Sequence, residues 1–395
     1  MSDTTFYNFN LFDGKENKIF NKAWFKINDQ TGKIVKRGEN VPPNSNKKID
    51  LKNKYVMPGF FNVHTHICMD PHTGSGNTDA NFVETTVRAI DHLHKLLKDG
   101  VTYIRECGST YNIDIYLEKL REQGKIKGIP IILPSGHPYS MTGGHGDMPN
   151  FGTMVDSPDE MRKAVRTGLR DGVQAIKLMA TGGVMTPQDF MNDPQLTVPE
   201  MRVAVKEGHH KGKIIAAHAE GNPGIQNAID SGVDSVEHGC YTTPEEADQM
   251  VKQGTYLTPT LFVIWAIAKY GKGILPDWEL RKDLNAMDDV FKNITEANKR
   301  GVKLTIGTDA GCPFTWFDES SKEFELFTKL GMSAFQAYQC SSINSATLCR
   351  VEKNHGTLET GKFADFQVLD DNPLSDVKIV QQKGKQVYLK GKKEF

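Results

Sequence analysis

The sequence predicts an α/β protein built on a (β/α)8 barrel, with short β-strands in the stretches before and after it. The first observation is that apolar β-type runs alternate with segments of helical spacing, eight times over about 300 residues. The second is that the residues up to about 54 and after about 355 form short, turn-punctuated patches of alternating hydrophobicity. A chain of 395 residues accommodates a barrel of about 250 residues plus an appendage.

The barrel strands are predicted from short apolar runs rich in β-branched and aromatic residues. They are Tyr55–Met57, Val101–Ile104, Ile129–Leu133, Ala175–Leu178, Ile214–Ala217, Ser235–Val236, Tyr256–Leu257 and Leu304–Ile306, with the first leading to His66. Helix starts are readable between them, because Ser157, Thr197 and Thr243 are each followed three residues later by a glutamate, which predicts capping boxes. Barrel active sites lie at the C-terminal ends of the strands, so the chemistry is expected there.

Composition excludes several classes of partner. The 48 basic and 49 acidic residues give a formal net charge of −1, which provides no attraction to nucleic acid or an anionic membrane. No apolar run approaches the roughly 18 residues of a membrane helix, and the first residues do not resemble a secretory signal. The six cysteines form no Cys-x-x-Cys pair, which indicates reduced thiols. We therefore expect a cytoplasmic protein that binds a small molecule.

Polar residues of a metal-binding type fall at the predicted strand ends. His64 and His66 are two residues apart on the first strand, so both imidazoles point the same way and suit one divalent ion. Four more residues end strands 4, 5, 6 and 8, and they are Lys177, His218, His238 and Asp309. Any one of these could be a hydrogen-bonded core histidine or a paired lysine. Six such placements on five strands favour a metal site.

Two further features near the strand ends leave alternatives open. Arg105, at the end of strand 2, could bind a substrate carboxylate with its forked donors, or pair with Glu106 or Asp79. Glycine clusters at Gly74-Ser75-Gly76, Gly143-Gly144 and Gly182-Gly183 match no nucleotide-binding pattern and are expected to serve the backbone near the site.

The motifs together resemble the amidohydrolase superfamily of metal-dependent hydrolases. The segment from Met57 to His66 resembles its strand 1 signature, and that from Gly356 to Phe366 resembles the exit from the barrel. The loop from Thr142 to Asp147 and the segment from Lys177 to Val184 resemble the branch of Xaa-Pro dipeptidases (prolidases) and related carboxypeptidases. Imidazolonepropionases are neighbours of that branch but lack the strand 4 lysine, so Lys177 argues against that activity.

The resemblance implies a division into two domains. Residues 58–355 would form the hydrolase barrel, and residues 1–57 and 356–395 would together build a small β-sandwich. Members of this branch usually associate, so a homo-oligomer is also expected.

A binuclear zinc centre is what the resemblance implies for the strand-end residues. His64, His66 and Asp309 would bind the first zinc ion, His218 and His238 the second, and Lys177, carboxylated by carbon dioxide, would bridge them together with a hydroxide. The alternative for Lys177 is an unmodified counter-ion to Asp309.

The resemblance also implies how an amide would be cleaved. The hydroxide would attack the carbonyl carbon, and Asp309 would take its proton and pass it to the leaving nitrogen. His145 and Tyr241 match positions that donate hydrogen bonds to the tetrahedral oxyanion. His145 could instead stabilise its own loop, and Tyr241 could form a wall of the pocket.

The sequence is thus interpreted as a binuclear zinc amidohydrolase that cleaves dipeptides, Xaa-Pro-like among them, or N-acyl amino acids. One alternative is the hydrolysis of a cyclic amide or a lactone. An alternative of another class is a catalytically inactive barrel that serves as a binding or assembly protein; this predicts missing ligands, and none is missing.

Overall fold

The computed structural model describes residues 2–72, 78–184 and 189–395. Its strands are β1 (Asp3–Leu11), β2 (Phe20–Asn28), β3 (Lys33–Glu39), β4 (Lys47–Pro58), β5 (Phe60–Thr65), β6 (Val101–Glu106), β7 (Ile131–Leu133), β8 (Tyr139–Ser140), β9 (Thr153–Met154), β10 (Ala175–Met179), β11 (Ile214–Ala219), β12 (Ser235–His238), β13 (Tyr256–Thr258), β14 (Phe366–Leu369), β15 (Gln386–Leu389) and β16 (Lys392–Lys393).

The α-helices lie mostly between the barrel strands. They are α1 (Phe82–Lys98), α2 (Ile113–Glu122), α3 (Pro158–Asp171), α4 (Val198–His210), α5 (Gly224–Ser231), α6 (Pro244–Gln253), α7 (Leu261–Tyr270), α8 (Asp277–Arg300), α9 (Lys322–Lys329), α10 (Ala334–Gln339) and α11 (Ala346–Leu348). A π-helical turn, Cys340–Ser345, joins α10 to α11, and short 3-10 turns occupy Thr110–Asn112, Phe317–Glu319 and Val377–Gln381.

The predicted barrel is confirmed, with parallel strands that close into a ring. Seven barrel strands are β5, β6, β7, β10, β11, β12 and β13. The eighth passes through Leu304, which bridges Leu257 of β13, and the carbonyl of Ile306 accepts a hydrogen bond of 2.8 Å from the Val63 amide of β5. Between β7 and β10 the Ala175 amide donates to the Pro134 carbonyl at 3.0 Å. The carboxyl ends of all these strands therefore meet at one face.

One of the predicted barrel strands lies in the sheet formed by the two chain ends. Tyr55–Met57 was expected to begin the first barrel strand, but it lies in β4 and pairs with β1 and β14. The barrel strand starts only at Phe60, after Gly59. A Cβ atom at Gly59 would lie 2.2 Å from the Thr102 side chain, so only glycine lets the chain pass this close to β6 as it enters the barrel.

The helix starts follow the predicted capping chemistry, with one variation. Thr197 and Thr243 head full capping boxes with Glu200 and Glu246. Ser157 also accepts a hydrogen bond from the amide of residue 160, but the Glu160 carboxylate accepts from the Asp156 amide instead of the N-cap amide. Local capping signals in the sequence therefore fix where these helices begin.

The two ends of the chain build one seven-stranded sheet, in the order β16-β15-β14-β4-β1-β2-β3. Phe6 of β1 and Tyr388 of β15 are three strand spacings apart in this order, or about 14 Å in a flat sheet. Their ring centroids are nevertheless 5.4 Å apart, so the sheet curls over and encloses an aromatic cluster that includes Phe25 and Phe366.

This composite sheet agrees with the expected small β-sandwich, because both ends of the chain contribute its strands. The division of the chain at residues 57/58 and 355/356 stays a prediction. Within the part of the chain that the structure describes, no helix combines the length and the hydrophobicity needed to cross a membrane.

A buried ion pair links the barrel to the C-terminal strands. Asp99, which caps α1, accepts hydrogen bonds from the amide and the hydroxyl of Ser321 at 2.6 and 2.9 Å. Lys385, whose side chain is fully buried, donates to the Val380 carbonyl and lies 3.9 Å from the same carboxylate. Burial raises the pKa of Asp99 to about 6 and lowers that of Lys385 to about 8, so each charge depends on the other.

We expect Lys385→Met to lower the free energy of unfolding by about 3–5 kcal/mol, because it leaves the Asp99 charge buried without its partner. The matched control is Lys383→Met, whose side chain is 65% exposed and which should change stability by less than about 0.5 kcal/mol. Urea unfolding of the purified variants measures both values. Equal stability of the two variants would contradict a structural role for the pair.

Candidate metal and amide-hydrolysis site

The predicted metal ligands converge on a single cavity at the carboxyl ends of the barrel strands. All six line it, and its empty space, open mouth included, is about 700 Å³. They are supplied by β5 and the residue after it, by β10, β11 and β12, and by the loop after the eighth strand, as His64, His66, Lys177, His218, His238 and Asp309. The structure thus brings together residues that are up to 245 positions apart in the sequence.

The donor atoms of this cluster lie close together. His64 Nε2 is 3.4 Å from Asp309 Oδ1 and 3.3 Å from Lys177 Nζ, and His66 Nε2 is 3.3 Å from the same Asp309 oxygen. The His238 ring completes the group, with its centroid 4.9 Å from that of His64 and 4.7 Å from that of His218. Two sets of three ligand atoms lie within 4.8 Å of one another here, His64–His238–Asp309 and His218–Glu220–His238.

Each imidazole is oriented by a contact made with its other nitrogen. Nδ1 of His64, His66 and His238 lies against Glu237 Oε2 at 2.8 Å, the Gly108 carbonyl at 3.1 Å and the Thr260 hydroxyl at 2.7 Å. Nε2 of these three rings is therefore left for the cavity. Such outer contacts are typical of metal-binding histidines, because they set the tautomer and the ring angle.

His218 is held in the opposite sense. Its Nε2 lies 3.0 Å from the Gly182 carbonyl, which leaves Nδ1 as the nitrogen for a ligand.

Charge and burial keep this cluster in the state that binds a cation. Burial, together with Lys177, lowers the pKa of His64 to about 4, and burial also lowers the pKa of His218 and His238, so these rings are neutral at pH 7. Burial opposes the ionisation of Asp309, but the adjacent histidines hold its pKa well below its usual range. Its Oδ1 has no hydrogen-bond partner among the described residues, so it is an available acceptor. Neutral imidazoles and an unpartnered carboxylate oxygen fit divalent metal ions.

Two of these residues adopt strained backbone conformations. His238 has φ 67° and Asp309 has φ 60°, in the left-handed region that non-glycine residues seldom occupy. Both lie where the chain leaves a barrel strand, and the turn directs their side chains into the cavity. Strain of this kind persists where the surrounding structure holds it for a function.

Arg105 is not a substrate-binding residue at the cavity mouth, and the sequence-based expectation is wrong on this point. Its side chain is fully buried in the barrel and pairs with Glu237 at 2.7 Å, not with Glu106 or Asp79. It also donates to the Val63 carbonyl at 2.6 Å and the Ser235 hydroxyl at 2.8 Å. Burial opposes the ionisation of Glu237, but Arg105 and His64 hold its pKa below the usual range.

Glu237 is therefore a functional residue that the sequence analysis missed. The signal was its position directly before His238 on a buried strand, where a carboxylate needs a partner.

The Lys177 amino group is buried and has no carboxylate within 4.0 Å among the residues that the structure describes. The alternative of a direct ion pair with Asp309 therefore receives no support from the geometry. Its nearest polar contact is His64 Nε2, a neutral imidazole. A buried amine without a counter-ion is a group that can change its chemical state.

His145 lies in the cavity wall beside the cluster. Its ring stacks on His218 with centroids 4.3 Å apart, and Nδ1 is 3.3 Å from Asp189. The Gln195 side chain accepts from the His145 amide at 2.9 Å and donates to Asp189 at 2.7 Å, which fixes the loop. A Cβ atom at Gly183 would lie 2.6 Å from the His145 ring, so the glycine makes room for it.

Tyr241 is placed differently from the other predicted residues. It follows β12, its amide donates to the Glu220 carbonyl at 2.9 Å, and its side chain is not among the described residues that line the cavity. Its role as an oxyanion donor stays a prediction. The glycine cluster Gly74-Ser75-Gly76 lies outside the described residues, whereas Gly143-Gly144 belongs to the His145 loop.

Acidic side chains that the sequence analysis did not consider form another part of the cavity. Glu220 and Asp283 both line it, and Glu279 lies one helical turn before Asp283 on α8. We call these three residues the acidic wall. Their relative exposures are 7%, 0% and 2%, so a cavity that was expected to be lined by metal ligands also carries buried acids.

The chain is similar over most of its length to a known family. The family model described as "Amidohydrolase family" matches residues 55–393. An ochratoxinase from Aspergillus niger is 29% identical over 359 residues, which cover 83% of this chain and 72% of that protein.

Solved structures extend the similarity to the full chain. A Xaa-Pro dipeptidase with methionine bound in its active site covers 99% of both chains at 28% identity, with a TM-score of 0.90. A prolidase complexed with N-methylphosphonate-L-proline also covers 99% of both chains, at 26% identity and a TM-score of 0.92.

Proposed function

Because this chain belongs to the amidohydrolase family and is a hydrolase that acts on amide bonds, we propose that its substrates are dipeptides or N-acyl amino acids. The observation that carries this proposal is the convergence of six candidate metal ligands on one cavity at the carboxyl ends of the barrel strands. The relatives named as a Xaa-Pro dipeptidase and a prolidase support a substrate of dipeptide size.

We propose that two zinc ions occupy the cluster. His64, His66 and Asp309 would hold one and His218 and His238 the other, with Lys177, carboxylated, as the bridge. When bound, the ions would generate a hydroxide nucleophile at neutral pH and polarise the amide carbonyl. The unpaired, buried Lys177 amine supports the bridge, because carboxylation converts a group that repels cations into an oxygen ligand.

Asp309 is the residue best placed to move a proton. Its Oδ1 is unpartnered, and its carboxylate is held ionised by the adjacent histidines. It would accept the proton of the attacking water and deliver it to the leaving nitrogen, as a general base that becomes a general acid.

His145 would donate a hydrogen bond to the carbonyl oxygen as it gains charge, because its ring lies in the cavity wall, stacked on His218 beside the donor cluster.

The cellular location and the assembly state of the enzyme are proposals as well. We propose that the enzyme acts in the cytoplasm, as its six free cysteines indicate, and that it associates into a homo-oligomer, as the family resemblance implies.

The purified protein is expected to contain close to two zinc ions per chain. Lys177→Ala should lose at least one ion and nearly all activity, because the bridging oxygens are gone, and a short carboxylic acid should restore part of the activity. Elemental analysis and a dipeptide assay measure both. The control is Lys252→Ala, an exposed lysine of α6, which should keep both metals. Full metal content and activity in Lys177→Ala would rule out the bridge.

Asp309→Asn separates metal binding from proton transfer. The amide keeps an oxygen ligand but accepts no proton, so most metal should remain while the turnover rate falls by about 10² to 10⁴. Metal analysis and steady-state kinetics on the same preparation test this. A turnover rate close to that of the wild type would show that another residue moves the proton.

The substrate class is tested with a panel at equal concentration in the presence of zinc. Dipeptides, Xaa-Pro among them, and N-acyl amino acids are expected to be cleaved, and amidation of their C-terminal carboxylate should cost at least ~1.5 kcal/mol in kcat/KM. Hydantoins and lactones provide the comparison. A preference for a neutral cyclic substrate would contradict the peptidase proposal, and no activity across the panel with two zinc ions bound would point to an amide outside the panel.

A further inference from the structure

The acidic wall presents buried carboxyl oxygens that no group in the described structure satisfies by hydrogen bonding. Both carboxylate oxygens of Asp283 and one oxygen each of Glu220 and Glu279 are buried and have no hydrogen-bond partner among the described residues. A buried carboxylate without a partner is costly, so such a group indicates a ligand that is absent from the structure.

The wall lies in the cavity that holds the metal ligands. Glu220 comes two residues after His218, and its carboxylate forms one of the close ligand groups with His218 and His238. Asp283 reaches the same cavity from α8. The unpartnered oxygens therefore begin beside the reaction centre and continue away from it, where a substituent of the substrate would lie.

The nearest basic side chain of α8 is engaged elsewhere. Lys282 donates to the Asp189 carbonyl and lies over the rings of Phe190 and Trp278, with its amino group 4.9 and 5.1 Å from their centroids. Its charge lowers the pKa of Glu279 and so opposes the rise that burial causes, but Lys282 does not supply the hydrogen bonds that the Asp283 oxygens lack.

The outer part of the wall belongs to no close ligand set of the described residues. Across residues 2–72, 78–184 and 189–395, no set of three ligand atoms within 4.8 Å of one another includes Asp283 or Glu279. An organic cation needs no such set, because it presents several N–H donors over a larger span.

The other lining residues fit the same kind of ligand. Val263, Ile264 and Ile267 of α7 and Met191 give the same cavity apolar surface. Apolar surface in one cavity with buried carboxyl groups matches an aliphatic chain with a charged end, as in the long basic side chains.

We propose that the acidic wall binds an ammonium or guanidinium group of the substrate, so that the enzyme prefers positively charged dipeptides or N-acyl amino acids. This inference rests on the proposed function and narrows its substrate class. The cation would donate hydrogen bonds to the Asp283 and Glu220 oxygens and so supply the partners that they lack. Burial, with a contribution from Glu279, raises the pKa of Asp283 to about 8, which agrees with a site that lacks its counter-charge.

The cation could be a basic side chain or the free α-amino group of a dipeptide, and matched substrates distinguish the two. N-acetyl-arginine against N-acetyl-citrulline isolates the side-chain charge, and alanyl-leucine against N-acetyl-leucine isolates the α-amino group. With the zinc-loaded enzyme we expect at least about a tenfold higher kcat/KM for the charged member of one pair. Ratios near one in both pairs would overturn the proposal.

The variant Asp283→Asn tests the wall itself. The charged-to-neutral kcat/KM ratio should collapse toward one, while the melting temperature stays close to that of the wild type, since Asn has a similar shape and the Asp283 oxygens have no hydrogen-bond partner to lose. Asp288→Asn, an exposed position on the same helix, should keep the ratio. Glu279→Gln provides a second variant of the wall and should lower the ratio in the same direction. An unchanged ratio in both wall variants would overturn the proposal.

A binding measurement keeps this inference separate from the proposed function. Calorimetry needs no cleavage. L-arginine should bind the wild type at least about tenfold more tightly than L-citrulline if the wall holds a side chain, and L-alaninamide more tightly than N-acetyl-L-alaninamide if it holds an α-amino group, with the difference lost in Asp283→Asn. That result together with no amide cleavage would support the wall and reject the proposed reaction. Cleavage of neutral and charged substrates alike, with equal binding within both pairs of ligands, would reject the wall and keep the reaction.

Discussion

The buried ion pair between Arg105 and Glu237 is the contact on which the geometry of the site depends. Arg105 ties three strands together, because its three donor nitrogens meet the Val63 carbonyl, the Ser235 hydroxyl and the Glu237 carboxylate. The other oxygen of Glu237 fixes His64. An isolated charge in the interior of a barrel would be strongly unfavourable, so neither partner is tolerable without the other. Through this pair, the barrel strands hold the His64 imidazole in a fixed position within the donor cluster.

The cavity is electrostatically divided. One part presents neutral imidazoles with their free nitrogens inward, and the other presents carboxylates that burial alone disfavours. Glu220 stands at the border, close to His218 and His238 and also within the electrostatic reach of Asp283. A molecule that enters the cavity therefore meets imidazole nitrogens in one part and carboxyl groups in the other. Its orientation depends on which of its own groups can donate hydrogen bonds to the carboxyl groups. The proposed metal site and the proposed substrate preference both depend on this division.

Sequence patterns predicted the barrel and the donor cluster because both depend on local signals. His64 and His66 share one face of a strand by simple alternation, and the ends of parallel strands must meet. The side chains that act across the barrel were not predictable in the same way. Arg105 follows an apolar strand and could point to either end of it, and its contact with Glu237 spans 132 positions. Asp283 lies within a charged, amphipathic helix, where the sequence gives no sign that this acid and Glu279 are turned inward while the other acids are not.

The composite sheet has a consequence for how the chain is made. β4 lies between β1 and β14, so its hydrogen bonds on one side come from a strand that follows it by more than 300 residues. Until Phe366–Leu369 has been synthesised, Val56 and its neighbours present an open, apolar strand edge, which is the feature that drives intermolecular β-pairing. A nascent or prematurely terminated chain is therefore prone to intermolecular β-pairing at this edge. β14 covers this edge only late in synthesis, so only a chain that has reached β14 is protected from this route to aggregation.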